Sequence, residues 1–412
     1  GTKGKGSTAV MIAEILNASG YRVGLFTSPH IERFEERMTV GGVSPTPEQL
    51  VELVNSVADA VTVLDRSPGK MNPTYFEIAT AMAWTFFRQQ RVSVVVLEVG
   101  LGGRLDSTNL CQPEVTAITS ISRDHTNLLG SRLEQIAFEK AGIIKRGVPV
   151  VSGAKDPAAA AVLTAVCRDR DAQLFQLGRE LRYRFLDTGV PDALREDNSI
   201  ESPMLVDVET PWRNWPAVPV PLMGEHQAQN AAVAIGVIDV LNSRGREVAP
   251  LAVYEGMKSV RWPLRVEVLS RKPTIIVDAA HNWASVRALL DTLARQFVAQ
   301  RKILVFATTK DKDVPGILRQ LLPNFDTVIV TQYLNNPRAV PYQELKRIVE
   351  SISEYPVHLA PDPSSAWKLL ARFLREEDLV CITGSFFIAA EMREVVLDYQ
   401  TGQSLENSAS LR

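Results

Sequence analysis

The first eight residues of the chain combine glycines, lysines and hydroxyl side chains in the manner of a phosphate-binding loop. The run reads GTKGKGST, and apolar residues at helical spacing follow it over 9–16. Glycine lets backbone N–H groups approach a phosphate, the helix N-terminus adds positive potential, and a lysine reaches the β- and γ-phosphates. The spacing departs from the usual Walker pattern because Gly6 separates Lys5 from Ser7. A flexible Gly/Lys-rich terminus is the alternative interpretation.

Acidic residues at the ends of two predicted strands form a second group of candidates. Glu98 ends the most apolar run in the chain, residues 92–97, and precedes a glycine-rich loop over 99–106. Open α/β sheets bind ligands at the carboxyl ends of their strands, where a carboxylate can hold Mg²⁺ against phosphate oxygens. Asp124 and His125 also follow a predicted strand. A capping or loop-stabilising role is the alternative for this pair.

The elements that must position these residues alternate between strands and helices. This alternation predicts βαβ units and a parallel sheet, and the run 92–97 is apolar enough to lie inside a covered parallel sheet. We expect a β-rich insertion over 173–220, where the chain becomes rich in Pro and charged residues. The predicted strands are 21–26, 92–97, 115–119 and 149–152, and the predicted helices are 9–16, 46–65, 73–90, 131–144, 156–168, 227–242 and 250–257.

A second, smaller α/β domain is expected after Pro263, because proline disfavours helix in the residue before it. The domains are therefore expected at 1–262 and 263–412. The fold class is α/β, with a phosphate-loop domain built on a mostly parallel sheet and a Rossmann-like C-terminal domain. In the second domain the predicted strands are 266–269, 274–277, 302–307, 327–331 and 379–383, and helices begin near 285, 314, 341, 364 and 387.

Composition restricts the class of protein. The 412 residues include 45 Lys+Arg and 47 Asp+Glu, for a net charge of −2, so a nucleic-acid-coating or anionic-membrane protein is not expected. The three cysteines are widely spaced and contain no CxxC pair, which favours a reducing, cytoplasmic compartment. No signal peptide and no run of about 18 apolar residues is apparent, so we expect no membrane segment.

A series of motifs gives the chain a resemblance to a known family. In order, they are the opening loop, TSPH at 27–30, EVGLGGRLD at 98–106, DHT at 124–126, EKAG at 139–142, GEHQ at 224–227, NA at 230–231, RWP at 261–263 and DAAHN at 278–282. Together they resemble the folylpolyglutamate synthase/dihydrofolate synthase family, a branch of the Mur ligase superfamily. The match spans nearly the whole chain.

The resemblance implies an ATP-dependent acid–amino-acid ligase. In the family, the γ-phosphate of ATP is transferred to a folate or dihydropteroate carboxylate, and the amine of L-glutamate attacks the resulting acyl phosphate. The implied ligands are ATP, L-glutamate, dihydropteroate or folate, and Mg²⁺ at two sites, in a monomeric enzyme without nucleic-acid or membrane partners. Phosphorylation makes physical sense because oxide is a poor leaving group from a carboxylate.

The family also implies roles for residues of this sequence. The implied triphosphate cradle is Gly1, Thr2, Gly4, Lys5, Gly6 and Ser7, and the implied metal ligands are Ser28 and Glu98 for the first ion and His125 and Lys140 for the second. The residues implied in catalysis are Lys5, Glu98, His125 and Lys140. Asn230, Arg265, Asp278 and His281 are implied in binding the rest of the nucleotide, although Leu264 stands where the family commonly has glycine.

Lys140 requires a chemical modification to serve as a ligand, because a protonated amine cannot bind Mg²⁺. In the family the equivalent lysine is typically carbamylated, which supplies an oxygen donor suited to a hard metal. The alternative interpretation is an exposed ion pair between Glu139 and Lys140 on the predicted helix over 131–144.

Two segments match the part of the family that lines the pterin or folate pocket: Thr74, Tyr75, Phe76 and Glu77, and Leu105, Asp106 and Ser107. The rings of Tyr75 and Phe76 could equally belong to the core. For Asp278 and His281, a strand end followed by a helix cap is the alternative to a nucleotide site.

Two other functions compete with the folate ligase: a Mur-type ligase that acts on a cell-wall amino-sugar peptide, and a nucleotide-binding protein without turnover. The GKGS form of the loop and the segment around Glu77 argue against the cell-wall ligase. In the family a helix and a strand precede the phosphate loop, so we expect the sequence to lack on the order of 40 N-terminal residues.

Overall fold

The computed structural model describes residues 1–67, 72–186 and 203–409. It divides into two compact units. In the described residues, the first unit takes in the chain to residue 186, residues 203–221 and residues 226–261, and the second takes in residues 222–225 and the chain from residue 262 onward.

The first unit contains helices and strands in alternation over most of its length. In chain order its elements are α1 (Lys5–Ala18), β1 (Val23–Phe26), β2 (Met38–Val40), α2 (Pro47–Arg66), α3 (Tyr75–Gln89), β3 (Val94–Leu97), β4 (Thr116–Ile118), α4 (Thr126–Leu129), α5 (Leu133–Ala141), β5 (Val150–Ser152), α6 (Pro157–Asp169), β6 (Leu174–Gln176), β7 (Arg182–Leu186), β8 (Met204–Glu209), β9 (Asn214–Val220), α7 (Glu225–Ser243) and α8 (Pro250–Ser259).

Strands β1 to β6 of the first unit form two separate three-stranded sheets. One has the order β2-β1-β3, with β1 parallel to β3 and antiparallel to β2, and the other has the parallel order β4-β5-β6. Strand β2 was not expected, because its three residues carry too short a pattern to identify a strand.

A cavity of about 340 Å³ borders both sheets and corrects one prediction. Its walls include residues 93–99, residues 115–117 and the α1 residues Thr8, Ala9 and Ile12. All four residues of β3 are half-buried. Strand β3 is therefore less buried than its apolar residues predict, because the cavity exposes part of it.

The predicted β-rich insertion over 173–220 is only partly correct. Its first strand, β6, belongs to the second parallel sheet, whereas β7, β8 and β9 form an antiparallel sheet of their own. Residues 187–202 of the predicted insertion lie outside the described residues. Buried Asp239 of α7 joins this sheet to the unit, since its carboxylate accepts hydrogen bonds from Thr210 Oγ1 at 2.6 Å and Trp215 Nε1 at 2.9 Å.

Helix α1 is the central helix of the first unit. It begins after Gly4, whose left-handed φ of 79° suits glycine. Residues of every helical face from Gly6 to Leu16 are buried, with Glu14 an exception. Gly256 of α8 packs against the backbone of Ile15, so that a side chain at that position would collide with α1.

The second unit is a six-stranded α/β sheet with the order β10-β11-β15-β12-β13-β14. All its strand pairs are parallel except β10 with β11. Strand β14 was not predicted, because two of its three residues are exposed. Its elements are β10 (Glu267–Arg271), β11 (Thr274–Val277), α9 (Trp283–Gln296), β12 (Arg301–Phe306), α10 (Val314–Leu321), β13 (Thr327–Val330), α11 (Tyr342–Ile352), β14 (Val357–Leu359), α12 (Pro363–Ala371), β15 (Asp378–Thr383) and α13 (Phe386–Ala409).

The α/β fold class with mostly parallel sheets in two domains is confirmed. Among the described helices, none combines the length and the apolar character needed to span a bilayer.

Candidate active site

Hydrogen bonds hold the opening loop against Thr119 and Ser120, which directly follow strand β4. The backbone N–H of Thr2 donates to the Ser120 carbonyl at 2.6 Å, and Thr119 Oγ1 donates to the Lys3 carbonyl at 2.6 Å. Gly4 lies against the buried side chain of Asn230, which leaves no space for a side chain at position 4. The loop is therefore an ordered turn before α1, and the alternative of a flexible terminus is wrong.

The two lysines of the loop have different surroundings. Lys3 Nζ forms an ion pair with Asp124 Oδ2 at 2.8 Å. Within the described residues, Lys5 makes no ion pair. It begins α1, where backbone N–H groups lack partners within the helix. Lys5 and the N-terminus of α1 thus supply positive charge that an anion can neutralise.

Ser28 and Glu98 come together because β1 and β3 are parallel neighbours, with Phe26 in register with Leu97. Each residue lies just beyond the carboxyl end of its strand. Glu98 is 7% exposed, and its Oε2 accepts a hydrogen bond from the Ser28 backbone N–H at 3.0 Å. The strand order therefore accounts for this pair.

Lys140 is buried next to the phosphate loop. It is 4% exposed, and its Nζ donates a hydrogen bond to the Gly1 carbonyl at 3.1 Å. Burial, followed by the positive charge of Lys5, lowers the pKa of Lys140 to about 8, although Asp124 opposes the shift. The unprotonated fraction of this amine at pH 7 is consequently about one tenth, far more than for an ordinary lysine.

Glu139 does not pair with Lys140. Its carboxylate binds the guanidinium of Arg104, with the Nη2–Oε1 distance at 3.0 Å, and the Arg104 backbone N–H donates to the Glu139 carbonyl at 2.9 Å. The loop after Glu98 therefore packs on α5, and Gly142 has no space for a side chain beside Arg104. The alternative of an exposed Glu139–Lys140 ion pair is wrong.

His125 lies beside this group but is more exposed. It has a left-handed φ of 49° at the N-cap of α4, and its side chain is 45% exposed. Its Nε2 is 3.9 Å from Asp124 Oδ1. The structure thus brings Lys3, Asp124 and His125 together, and Asp124 also acts electrostatically on Lys140.

A magnesium ion fits the hard oxygen donors of this region. Mg²⁺ usually binds through one or two carboxylates, phosphate oxygens and water, which is compatible with Glu98 and Ser28 beside the loop. In the described residues, no group of three or more His, Cys, Asp or Glu side chains converges as a preformed metal site. An ion held by Glu98 and Ser28 would take its further oxygens from phosphate or water.

The first segment predicted to line the folate pocket contains a helix cap. The Thr74 backbone N–H donates to Glu77 Oε2 at 2.7 Å, and the Glu77 backbone N–H donates to Thr74 Oγ1 at 3.2 Å. This capping box begins α3. The Phe76 ring packs against Phe26, with ring centroids 5.8 Å apart, whereas Tyr75 is 58% exposed. Of the two aromatic residues, Phe76 is the one that packs against the core.

Asp106 and Ser107 of the second predicted folate segment make hydrogen bonds that stabilise the fold. Asp106 accepts hydrogen bonds from the backbone N–H groups of Leu101, at 2.9 Å, and Thr108, at 3.0 Å. Ser107 Oγ lies 2.7 Å from Thr80 Oγ1 of α3, and Leu105 is 81% exposed. Asp106 thus shapes the loop, while Leu105 presents an apolar side chain to solvent.

The remaining predicted nucleotide residues lie in the second unit. Buried Asp278 accepts hydrogen bonds from the backbone N–H groups of Val266, at 2.9 Å, and Ala280, at 2.7 Å, and its burial raises its pKa, which the charge of Arg265 opposes. His281 Nδ1 is 2.8 Å from the Ala279 carbonyl. Leu264, which stands where the family commonly has glycine, adopts a left-handed φ of 61°. The turn therefore forms despite a bulky residue.

Two residues near Glu98 were not assigned from the sequence. Arg37 is 8% exposed, and its Nε donates to His30 Nδ1 at 2.8 Å. Burial lowers the pKa of Arg37, whereas Tyr75 and Glu98 oppose this shift. Burial and the charge of Arg37 also lower the pKa of His30. His30 belongs to the TSPH motif, but Arg37 lies in a charged run that reads as surface.

Comparison with known proteins identifies two matching domains. The Mur ligase middle domain matches residues 1–238, and the Mur ligase, glutamate ligase domain matches residues 264–386. The dihydrofolate synthase/folylpolyglutamate synthase of Bacillus subtilis is 34% identical over 396 residues, which cover 96% of this chain and 88% of that relative.

Solved structures of similar proteins give the same result. Folylpolyglutamate synthase of Mycobacterium tuberculosis, complexed with ADP and AMPPCP, has a TM-score of 0.86 and 32% identity, with 96% of this chain and 89% of that chain covered. Escherichia coli FolC, in complex with DHPP and ADP, has a TM-score of 0.83 and 30% identity, with 97% and 88% covered.

Proposed function

The chain belongs to the folylpolyglutamate synthase/dihydrofolate synthase family of Mur ligases, and from that membership we propose that it adds L-glutamate to dihydropteroate, to tetrahydrofolate or its polyglutamates, or to both. It is an ATP-dependent amino-acid ligase of folate metabolism. The observation that carries the proposal in this chain is the meeting of the phosphate loop, Glu98 and Lys140 within one unit.

The first chemical step is transfer of the ATP γ-phosphoryl group to the acceptor carboxylate. A carboxylate oxygen forms the new bond to phosphorus, the bond to the β-phosphate oxygen breaks, and ADP leaves. Lys5 and the N-terminal N–H groups of α1 stabilise negative charge on the phosphates. The glutamate amine then attacks the acyl carbon, phosphate leaves, and the amine loses a proton.

Glu98 and Ser28 would hold Mg²⁺ beside the phosphate loop. When bound, the ion neutralises charge on the phosphate oxygens. Glu98 suits this role because its carboxylate is buried and its position is fixed by the Ser28 N–H. Among the residues of the second implied metal site, His125 is the more exposed, and Lys140 requires modification before it can bind a cation.

Carbamylation of Lys140 is favoured by its surroundings. The unprotonated Nζ attacks the carbon of CO₂, a proton is released, and the product is a carbamate with one negative charge. A protonated Lys140 is repelled by Lys5 and Lys3, whereas a carbamate is attracted by both. The carbamate retains one N–H, which can keep the hydrogen bond to the Gly1 carbonyl. Its oxygens and His125 are then the proposed ligands of the second metal.

The remaining predicted nucleotide contacts stay proposals. Asn230, which also contacts Gly4 of the phosphate loop, is proposed to bind the nucleotide, as are Arg265, Asp278 and His281. Tyr75, Phe76 and Leu105 are proposed to provide apolar surface for the pterin, although Phe76 also packs against the core. We expect a monomeric enzyme of the cytoplasm, in keeping with free thiols at Cys111, Cys167 and Cys381.

An ADP-release assay tests this function. We expect ATP, Mg²⁺ and L-glutamate to give ADP only when dihydropteroate or tetrahydrofolate is also present. ADP release that ignores every pteridine would contradict the folate ligase, and tight ATP binding without ADP release would instead indicate a nucleotide-binding protein.

A further inference from the structure

We propose that Arg37 binds a carboxylate group of the ligase substrates, with His30 and Tyr75 beside it. The proposal rests on the proposed function, because that function supplies the anionic substrates. L-Glutamate carries two carboxylates, and the acceptor carries the carboxylate that is activated or those of a glutamyl tail. The shared chemistry is a carboxylate, and the experiment distinguishes the two sources.

The first observation is a buried guanidinium without an acidic partner. Arg37 is 8% exposed and positively charged at every relevant pH. Within residues 1–67, 72–186 and 203–409, its side chain donates one hydrogen bond, from Nε to His30, and it forms no ion pair. Buried charges are normally paired, and although the charge of Glu98 acts on this guanidinium, Arg37 has no ion pair within the described residues and can therefore take an anion.

The second observation is that, within the described residues, Nη1 and Nη2 of Arg37 make no hydrogen bond. Because Nε already donates to His30, the N–H groups of Nη1 and Nη2 are the donors left for a ligand. Two parallel N–H groups on this edge match the two oxygens of a carboxylate.

His30 adds a donor to the same cluster. Its Nδ1 accepts the hydrogen bond from Arg37 Nε across 2.8 Å, so Nδ1 carries no proton. The ring proton of the neutral imidazole is then on Nε2, which can donate to a ligand. Phe34 packs edge-on against both His30, with centroids 6.3 Å apart, and Tyr75, at 5.9 Å. The cluster is therefore held by packing.

The position of Arg37 connects it with the proposed substrate segments. Its guanidinium carbon is 5.4 Å from the centre of the Tyr75 ring, at the N-terminal end of α3. Its backbone carbonyl accepts the Thr27 N–H at 2.9 Å, next to Ser28, and the charge of Glu98 acts on its side chain. Arg37 therefore lies between the proposed metal loop and the proposed folate segment.

Two glutamine variants of the same turn provide the test. Arg37→Gln removes the fork, and Arg33→Gln removes an equal charge from an exposed arginine four residues away. We expect Arg37→Gln to raise the KM of one carboxylate substrate at least tenfold and Arg33→Gln to leave both KM values within twofold. A raised KM for L-glutamate identifies that substrate as the source, and a raised KM for the pteroate or folate acceptor identifies the acceptor.

Equilibrium binding separates this proposal from the function on which it rests. Titration of each substrate into protein with ADP and Mg²⁺ should show the same selective loss in Arg37→Gln, even if wild-type turnover is absent. Unchanged substrate affinities would overturn the proposal, as would a fall in kcat with unchanged KM values, which indicates a positioning residue. If Arg37→Gln does not fold, Arg37→Lys decides: it keeps the charge without the fork, and an unchanged KM for both substrates would overturn the proposal.

Discussion

Lys140 on α5 donates a hydrogen bond from Nζ to the backbone carbonyl of Gly1 across 3.1 Å, inside the protein. The contact places an ionisable amine against the phosphate loop, where Lys5 and Lys3 also act on it. Burial beside these two lysines disfavours the protonated form of Lys140, whereas the negative charge of a carbamylated Lys140 would be attracted by them. Buried ionisable groups with shifted pKa values concentrate at functional sites for this reason.

Lys140→Met is expected to stabilise the protein while it abolishes ligase activity. In CO₂-free buffer at pH 7, removal of the buried charge should raise the free energy of unfolding by about 3 kcal/mol, because burial and the charge of Lys5 lower the pKa of Lys140 from 10.5 to about 8. The unfolded state binds more protons between these values, so wild-type stability rises with pH across that interval. The advantage of the variant should therefore shrink by roughly half at pH 9.5.

Urea unfolding at the two pH values measures this effect, with Lys145→Met as the control. Lys145 Nζ donates to the Asn109 carbonyl at 2.8 Å and is less buried, so its replacement should not reproduce the pH-dependent gain. A Lys140→Met protein that is less stable than wild type at pH 7 would contradict this account of Lys140.

Bicarbonate should control the activity of the wild-type enzyme if Lys140 is carbamylated. We expect kcat to fall severalfold in CO₂-depleted buffer and to recover when bicarbonate is added. Native mass spectrometry should show an adduct of one CO₂ in the wild type and none in Lys140→Met. An unmodified Lys140 in a fully active protein would contradict the proposed second metal site.

Thr74 and Glu77 should affect folding more than substrate binding. Thr74→Ala removes the capping hydroxyl of α3 and should cost about 1 kcal/mol of stability. Glu77→Gln keeps an acceptor for the Thr74 N–H, so we expect little loss of stability. Thermal unfolding and the acceptor KM check both variants, and a tenfold rise in the KM for Glu77→Gln would instead indicate direct contact with the substrate.

Gly142 should tolerate no side chain. An added Cβ would overlap the backbone and Cβ of Arg104, so Gly142→Ala should push α5 from the loop after Glu98. We expect a loss of about 1–3 kcal/mol in stability together with a fall in kcat. Gly402→Ala is the matched control, because no atom lies within 4 Å of its Cβ position. Equal behaviour of the two variants would show that this close contact is unimportant.

Local patterns predicted much of the fold. Long segments, such as those that became α2, α3 and α7, were predicted within a few residues, because their helical signal extends over several turns. The three-residue strands β2 and β14 carry too little pattern to be identified. The exposure of β3 to a cavity does not follow from the residues of the strand itself, since it depends on which elements lie beside it.

The candidate site was predictable where a motif carries its own chemistry. The loop before α1 and Glu98 at a strand end follow from residue type and position. The burial of Lys140 does not follow from its local sequence, because it contacts Gly1, which lies far from it in the chain. Arg37 gave no local signal, since nothing in a charged run distinguishes a buried arginine from an exposed one.

ATP cleavage by this ligase should be coupled to formation of an amide bond between L-glutamate and a pteroyl acceptor. ADP formed and labelled glutamate incorporated can be counted in the same reaction, for the wild type and for Glu98→Ala. We predict one ADP for each glutamate incorporated by the wild type and neither product from Glu98→Ala. ADP formed without glutamate incorporation, or near-normal incorporation by Glu98→Ala, would contradict this coupling and the role of Glu98.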